Sequence, residues 1–227
     1  IRGRTTVIME EINGIDLKGL ISLMKEMKQR IPLRVSLEIV ANVASALDEA
    51  YNKPPSSKEW PLRVMHGNLK PSNIMLQPDG LVRILDFGVV HSELGSRESS
   101  TRELQYEERE YIAPERMFFE PQGPSSDVYS LTMTLFEMIA GKAIQKIGTS
   151  EQEHKKRVNS YCKRLLSPMR LGDEFKDTLS QFLKEGLAYN SGQRPTAEEF
   201  SKKARMLSQG LKGISSVEWS ERAVAHF

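Results

Sequence analysis

The chain is poor in cysteine and has no long apolar run. Cys162 is its single cysteine, which excludes an internal disulfide and a thiolate metal site and suits a reducing cytoplasm. No stretch approaches the roughly 18–20 consecutive apolar residues that cross a bilayer, so no membrane segment is predicted. Neither charge dominates, because 32 basic and 30 acidic residues leave a net charge of +2. That balance does not favour a nucleic-acid partner.

What is present is typical of a globular protein. Hydrophobic residues make up 39% of the chain and charged residues 27%, which is the ordinary range for a packed domain. A chain of 227 residues can bury one substantial core. Its first residue is Ile1, without an initiating methionine or a signal-like segment, so we expect it to be a part of a longer protein.

Hydrophobic periodicity predicts a mostly helical chain with few strands. Short β-rich runs predict strands at Thr5–Glu10, Ile74–Leu76 and Val82–Leu85. Apolar residues at helical spacing predict helices over 16–29, 37–51, 125–141, 152–166, 174–187 and 197–207. The polar stretch 92–110 is poor in core-forming residues, and we expect it to be a surface loop.

Two short motifs lie close together in the first half of the chain. Residues 64–73 read Val-Met-His-Gly-Asn-Leu-Lys-Pro-Ser-Asn, and Asp-Phe-Gly follows at 86–88. They resemble the catalytic loop and metal-binding triplet of protein kinases. In that family the pattern H-R-D-L-x-x-x-N uses Asp to accept the substrate hydroxyl proton and Asn to hold magnesium.

The departures from this pattern decide its interpretation. Lys70 and Asn73 take their expected places, but Asn68 stands where the Asp is expected and Gly67 where the Arg is expected. A neutral amide has no basic lone pair that could take a hydroxyl proton, so Asn68 is a degenerate base position. Lys70 is the family's partner for the transferred phosphate, or alternatively a surface lysine.

The resemblance covers nearly the whole chain and implies an α+β, protein-kinase-like fold, mainly the helical C-terminal lobe with a few short strands. Residues 1–14 would be the last small-lobe strand and the hinge, and 15–208 the helical lobe, with a catalytic loop at 64–73 and an activation segment at 86–115. Residues 209–227 would be a C-terminal extension. The Pro-Pro-Ser-Ser insert before the catalytic loop resembles bacterial Hanks-type Ser/Thr kinases.

The resemblance also implies a nucleotide site. Its expected cofactor-binding residues are Met9 as gatekeeper, Glu10 and Ile12 through their backbone, Asp16 at the ribose and Met75 beneath the adenine. Asn73 and Asp86 would bind magnesium, since their oxygens are the hard ligands that this ion prefers. ATP and Mg²⁺ are therefore possible in the complete protein. Neither is expected for this lobe alone, because the chain contains no G-x-G-x-x-G phosphate loop.

Five further residues are expected to be structural. By resemblance, His66 and Phe87 pack in the interior that links the two lobes, and Asp127 holds the backbone of the catalytic loop. Glu115, in Ala113-Pro114-Glu115, is expected to form a buried ion pair with Arg194.

Two more positions bear on catalysis. Glu108 falls where Ser/Thr kinases usually carry a Thr, and a carboxylate there adds negative charge near a transferring phosphate. Gly67 removes the Arg that receives an activation-loop phosphate, so phosphorylation at Ser96, Ser99, Ser100 or Thr101 would lack its usual docking charge. Three departures favour natural loss of catalysis, although Asn68 could instead support loop geometry or be an engineered change.

The sequence therefore leaves three functions open. The preferred hypothesis is a pseudokinase, a binding or scaffolding module with protein partners that could also sense nucleotide. The first alternative is an active, atypical Ser/Thr kinase, since phosphoryl transfer depends mainly on positioning and electrostatics. The second is a helical interaction lobe that never had a small lobe.

Overall fold

The computed structural model describes residues 10–87, 109–118, 120–144, 148 and 150–211. Within these ranges the chain is mostly helical. The helices are α1 (Leu17–Glu26), α2 (Leu33–Asn52), α3 (Pro114–Met117), α4 (Pro124–Ala140), α5 (Glu151–Leu166), α6 (Asp173–Gly186) and α7 (Ala197–Gln209). Short 3-10 turns lie at Pro71–Asn73, Arg109–Tyr111 and Ser191–Gln193. The predicted α+β class with a helical majority is confirmed.

The strands of the described residues form one small antiparallel sheet in the order β1 (Ile15–Asp16), β2 (Ile74–Leu76) and β3 (Val82–Ile84). The second and third strands pair as a hairpin, with Ile74 opposite Ile84. No periodic pattern predicts β1, because a two-residue strand is too short to show one. The predicted strand Thr5–Glu10 lies almost wholly outside the described residues.

Helix boundaries follow local capping chemistry. The Asp16 carboxylate accepts a hydrogen bond from the Gly19 amide at 2.9 Å and so begins α1. Thr196 and Glu199 form a reciprocal capping box at the start of α7. Gly141 ends α4 with a φ of 69°, a left-handed conformation that glycine adopts without steric cost.

Helix α4 lies at the centre of the core. It is buried on nearly all sides, including Val128, Leu131 and Leu135, none of which is exposed. Helix α2 packs against both α4 and α7, and the Ser201 hydroxyl donates to the Ala41 carbonyl at 2.8 Å across that second contact. Residues near its N-terminus, including Ser126 and Asp127, are buried as well.

None of the helices in the described ranges has the length and apolar composition that a membrane crossing requires.

Gly186 allows a close approach between α6 and α4, and we expect its replacement to destabilise the fold. A Cβ added there would lie 2.2 Å from Thr132 Oγ1, which already donates to the Val128 carbonyl at 2.7 Å. Overpacking of this kind costs about 1–3 kcal/mol. For a domain of this size we therefore expect Gly186→Ala to lower the melting temperature by about 2–12 °C, measured by calorimetry.

The matched control is Gly192→Ala, in the turn Ser191–Gln193. A Cβ at Gly192 meets nothing within 4 Å, so this change should leave the melting temperature nearly unaltered. Equal melting temperatures for Gly186→Ala and Gly192→Ala would contradict the assigned contact.

Candidate functional site

The backbone of the catalytic loop is tied to helix α4 by one buried carboxylate. Asp127 is 3% exposed, and its two oxygens accept hydrogen bonds from the backbone amides of His66 and Gly67, both at 2.8 Å. Gly67 has a φ of 74°, a conformation that suits glycine. Asp127 therefore fixes the start of the loop to the most enclosed helix of the core.

His66 lies in the core as a neutral ring. Its Nε2 donates to the Leu85 carbonyl at 2.8 Å, while its Nδ1 accepts from the Asn68 amide at 3.2 Å. Burial lowers the pKa of His66, with the Asp127 charge acting in the opposite direction. The Phe87 ring packs against it with centroids 5.1 Å apart. These contacts occupy both ring nitrogens and leave His66 no part in proton transfer.

Asn68 and Asn73 are linked across the loop. The Asn73 side-chain amide donates to the Asn68 carbonyl at 2.9 Å. Since the Asn68 amide bonds to His66, both backbone polar groups of Asn68 hold the loop in shape. Lys70 is half-buried at the start of the Pro71–Asn73 turn, and its carbonyl accepts from the Asn73 amide at 3.0 Å. These hydrogen bonds therefore hold the catalytic loop in shape although Asn68 has no basic side-chain group.

The β2–β3 hairpin brings the two candidate magnesium ligands to one end of the sheet. The Leu85 amide donates to the Asn73 carbonyl at 2.9 Å, which places Asp86 directly beyond this pair. Asp86 is exposed and has a φ of 58°, in the left-handed region where Asp is enriched. Both side chains offer oxygen ligands, so the donor set fits Mg²⁺.

These two residues alone would hold a metal weakly. Among the described residues, no group of three or more His, Cys, Asp or Glu is arranged to bind a metal ion. Magnesium usually binds one or two carboxylates together with substrate phosphates. Binding at Asn73 and Asp86 would thus depend on a nucleotide.

The residues predicted to line a nucleotide site flank the same sheet. Strand register places Asp16 opposite Met75, and Met75 is half-buried while its neighbours Ile74 and Leu76 are buried on the other face. Glu10 is exposed and Ile12 half-buried just before β1. Asp16 also caps α1, a role that the sequence argument did not include. The structure therefore brings Asp16 and Met75 together at this sheet.

The second anchor is the buried ion pair between Glu115 and Arg194. Two parallel hydrogen bonds of 2.7 Å join the guanidinium to the carboxylate. The remaining three N–H groups of Arg194 donate to the carbonyls of Ala188, Ser125 and Tyr189 at 2.8–3.1 Å. All five donors of the guanidinium are therefore satisfied.

The environment of Glu115 keeps it ionised. Burial by itself raises the pKa of Glu115, but the hydrogen bonds from Arg194 and Ser126 more than offset that effect, so the pKa lies below the usual range. The Ser126 hydroxyl is 2.7 Å from Glu115 Oε1, and the centroid of the Tyr129 ring lies 4.9 Å from Arg194 Cζ. The sequence analysis missed Ser126 and Tyr129 as partners of this ion pair, because neither lies at a spacing from Glu115 or Arg194 that points to a contact.

Several predicted residues lie outside the described ranges. They are Met9, Gly88, Ser96, Ser99, Ser100, Thr101 and Glu108. Their assigned roles stay predictions.

Comparison with known proteins agrees with this geometry. The protein kinase domain family matches residues 2–204, and the chain belongs to that family. The tyrosine-protein kinase MasK of Myxococcus xanthus is 27% identical over 226 residues, which cover 97% of this chain and 34% of MasK. The serine/threonine-protein kinase PknA of Mycobacterium tuberculosis is 32% identical over 141 residues, covering 62% of this chain and 30% of PknA. The chain thus spans about a third of the length of these relatives.

Solved structures show the same fold. A mutant form of the PknI kinase domain from Mycobacterium tuberculosis superposes with a TM-score of 0.59 at 22% identity. That match covers 88% of this chain and 64% of the PknI chain. The predicted kinase-like fold is confirmed.

Proposed function

We propose that this chain is the helical lobe of a pseudokinase, a kinase fold that acts by binding rather than by phosphoryl transfer. One observation carries the proposal: the catalytic loop keeps its anchors while the position of the general base is a neutral amide. Asp127 holds the loop backbone, and Asn73 holds the Asn68 carbonyl. The Asn68 side chain has no basic lone pair to take a proton from a substrate hydroxyl.

Nucleotide sensing by the complete protein fits the retained residues. Asn73 and Asp86 would hold Mg²⁺, and Asp16 and Met75 would face the ribose and adenine. Magnesium there would neutralise phosphate charge when bound. In this proposal the bound nucleotide changes the shape that the domain presents to protein partners, and the cytoplasm is the expected location.

The rival function is an atypical bacterial Ser/Thr kinase. The retained Lys70, Asn73 and Asp86 favour it, as do the relatives, which are named as kinases. General-base assistance is typically worth about 10²–10⁴-fold, so its loss lowers the rate without necessarily abolishing transfer.

We expect no measurable phosphoryl transfer from this chain, because Asn68 cannot take a proton and no phosphate loop is present in its sequence. The measurement is transfer of labelled γ-phosphate from ATP with Mg²⁺ or Mn²⁺ to the chain itself and to Ser/Thr peptides. The control is Asp86→Ala, which removes a candidate metal ligand. Transfer that is abolished by Asp86→Ala would overturn the proposal.

A further inference from the structure

His154 is a buried histidine on α5 whose side chain holds the segment that follows α6. The side chain is 1% exposed, and its Nε2 lies 2.8 Å from the Leu187 carbonyl oxygen. A carbonyl oxygen only accepts hydrogen bonds, so Nε2 carries the ring proton and donates it. The other ring nitrogen, Nδ1, is shielded from solvent and has no hydrogen-bond partner in the described part of the chain. The ring in this arrangement is neutral, with a bare Nδ1.

The segment that His154 bonds also positions Arg194. Its next two carbonyls, those of Ala188 and Tyr189, accept from Arg194 Nε at 2.8 Å and from Arg194 Nη2 at 2.9 Å. The Tyr189 ring also packs edge-to-face against the His154 ring, with centroids 5.5 Å apart. Residues 187–189, here called the Arg194 cradle, are therefore fixed by His154 on α5 and in turn hold the guanidinium.

A proton on Nδ1 would be poorly accommodated in this arrangement. It would create a buried, charged N–H donor with no acceptor in the described part of the chain, which is costly. Aromatic rings attract cations, but the Tyr129 ring, whose centroid is 6.0 Å from that of His154, already has the Arg194 guanidinium at 4.9 Å. Tyr129 itself stays neutral, because burial raises its pKa. Burial accordingly lowers the pKa of His154; the hydrogen bond to Leu187 opposes that shift, and the Arg194 charge adds to it.

The other charged groups near His154 supply no counter-charge for a protonated ring. Four charged side chains line a cavity next to it: Glu151 and Lys155 on α5, and Lys184 and Glu185 on α6. Glu151 accepts from the Asn190 amide at 3.2 Å, and Glu185 pairs with Lys203 at 2.6 Å. Among the described residues, no hydrogen bond or ion pair joins any of the four to His154. The charge that acts on the histidine is thus the repulsive one of Arg194.

We propose that His154 is an acid-sensitive latch, whose neutral ring holds the Arg194 cradle closed and whose protonation favours an open form in which residues 187–189 separate from α5. In the open form water solvates the charged ring. The effect reaches the Glu115–Arg194 ion pair, because the cradle positions the guanidinium that binds Glu115. The role does not rest on whether the domain transfers phosphate, since it concerns this anchor alone.

The sign of the pH effect follows from the proton affinities of the two forms. His154 has its ordinary pKa of 6.5 when it is solvated in the open form and a lower pKa in the closed form. As the pH falls below 6.5, the open form takes up a proton that the closed form does not, so the closed form becomes less stable. At about pH 5.5, one unit lower, the opening equilibrium therefore increases by at most about tenfold.

The test is hydrogen exchange of the peptide that covers residues 187–194 in the complete protein, corrected for intrinsic rates, at about pH 7.5 and about pH 5.5. In the wild type we expect exchange up to about tenfold faster at the lower pH. A peptide from α2, which packs against α4 and α7, is the internal reference and should show no such acceleration. In the same protein, an NMR titration of the His154 ring should show a neutral form protonated on Nε2 and a pKa below 6.5.

Three variants separate the charge of the ring from its hydrogen bond. His154→Gln keeps an N–H donor for the Leu187 carbonyl but does not titrate, so exchange of residues 187–194 should no longer accelerate in acid. His66, whose pKa burial also lowers, is present in both proteins and cannot produce a difference between them. His154→Phe removes the donor and should accelerate exchange at both pH values. The matched control Lys156→Gln changes an exposed residue of the same helix and should behave like the wild type.

Any one of four results would overturn the proposal. They are equal acid acceleration in the wild type and in His154→Gln, no acid acceleration in the wild type, unchanged exchange in His154→Phe, and a measured His154 pKa at or above 6.5. The titration and the wild-type exchange need no variant, so they decide the question even where His154→Gln or His154→Phe fails to fold.

Discussion

Arg194→Ala should lower the melting temperature by about 6–12 °C, since losing one partner of a buried ion pair costs about 3 kcal/mol or more and each kcal/mol is worth about 2–4 °C at this size. The change leaves the Glu115 carboxylate, which is 5% exposed, without its cationic partner, and it removes the donor from three backbone carbonyls. The measurement is thermal unfolding followed by calorimetry or circular dichroism.

The matched control is Lys202→Ala, which breaks an exposed pair. Lys202 lies 2.6 Å from Glu198, but the two side chains are 68% and 59% exposed. Surface pairs contribute about 0–1 kcal/mol, so the control should shift the melting temperature by no more than about 4 °C. A shift of less than about one degree for Arg194→Ala would mean that the pair does not stabilise the fold.

The cost of Arg194→Ala should depend on pH. The folded-state pKa of Glu115 lies below the ordinary value of 4.5. The stabilisation that the pair contributes is therefore complete above that value and is lost as the pH falls through the folded pKa. The difference between Arg194→Ala and wild type should accordingly shrink in acid.

Restoring Asp at position 68 alone should not restore kinase activity, even in a longer protein that carries a complete small lobe. General-base assistance is worth about 10²–10⁴-fold, but the single change leaves Gly67 and Glu108 in place. The kinase resemblance predicts that Glu108 would add negative charge near the phosphates and that Gly67 would leave the activation segment without its anchor. The Asn68→Asp carboxylate would therefore correct only one of the three departures from the kinase pattern.

The comparison that checks this is Asn68→Asp against Asn68→Asp with Glu108→Thr, both assayed for transfer of labelled phosphate to Ser/Thr peptides. We expect background transfer from the single variant. Strong activity from Asn68→Asp alone would show that Asn68 is the only change that impairs catalysis. That result would fit an engineered Asp→Asn substitution.

Much of the helical architecture can be predicted because amphipathic helices carry a period in the sequence. The helix predicted over 197–207 corresponds to α7 at Ala197–Gln209, and the hairpin strand predicted at Ile74–Leu76 is β2 at the same bounds. The periodicity puts the start of α2 too late, at 37, because Leu33 follows Pro32 directly and the helix begins before its regular apolar period.

The candidate site is predictable only where a motif carries it. Residues 64–73 and Asp127 are identified through an ordered pattern, and the structure joins them by two hydrogen bonds. Ser126 has no such pattern. It contacts Glu115 because α3 and α4 meet there, and the electrostatics of a buried carboxylate depend on neighbours that are distant in sequence.

The proposed function is that of a kinase fold that keeps its loop geometry but does not carry out phosphoryl transfer. Its most direct test is the rate of γ-phosphate transfer by the complete protein at saturating ATP and Mg²⁺, compared with the same protein carrying Asp86→Ala. We predict that the two rates are the same and equal to background. A wild-type rate clearly above background that Asp86→Ala abolishes would contradict the claim and establish an active kinase.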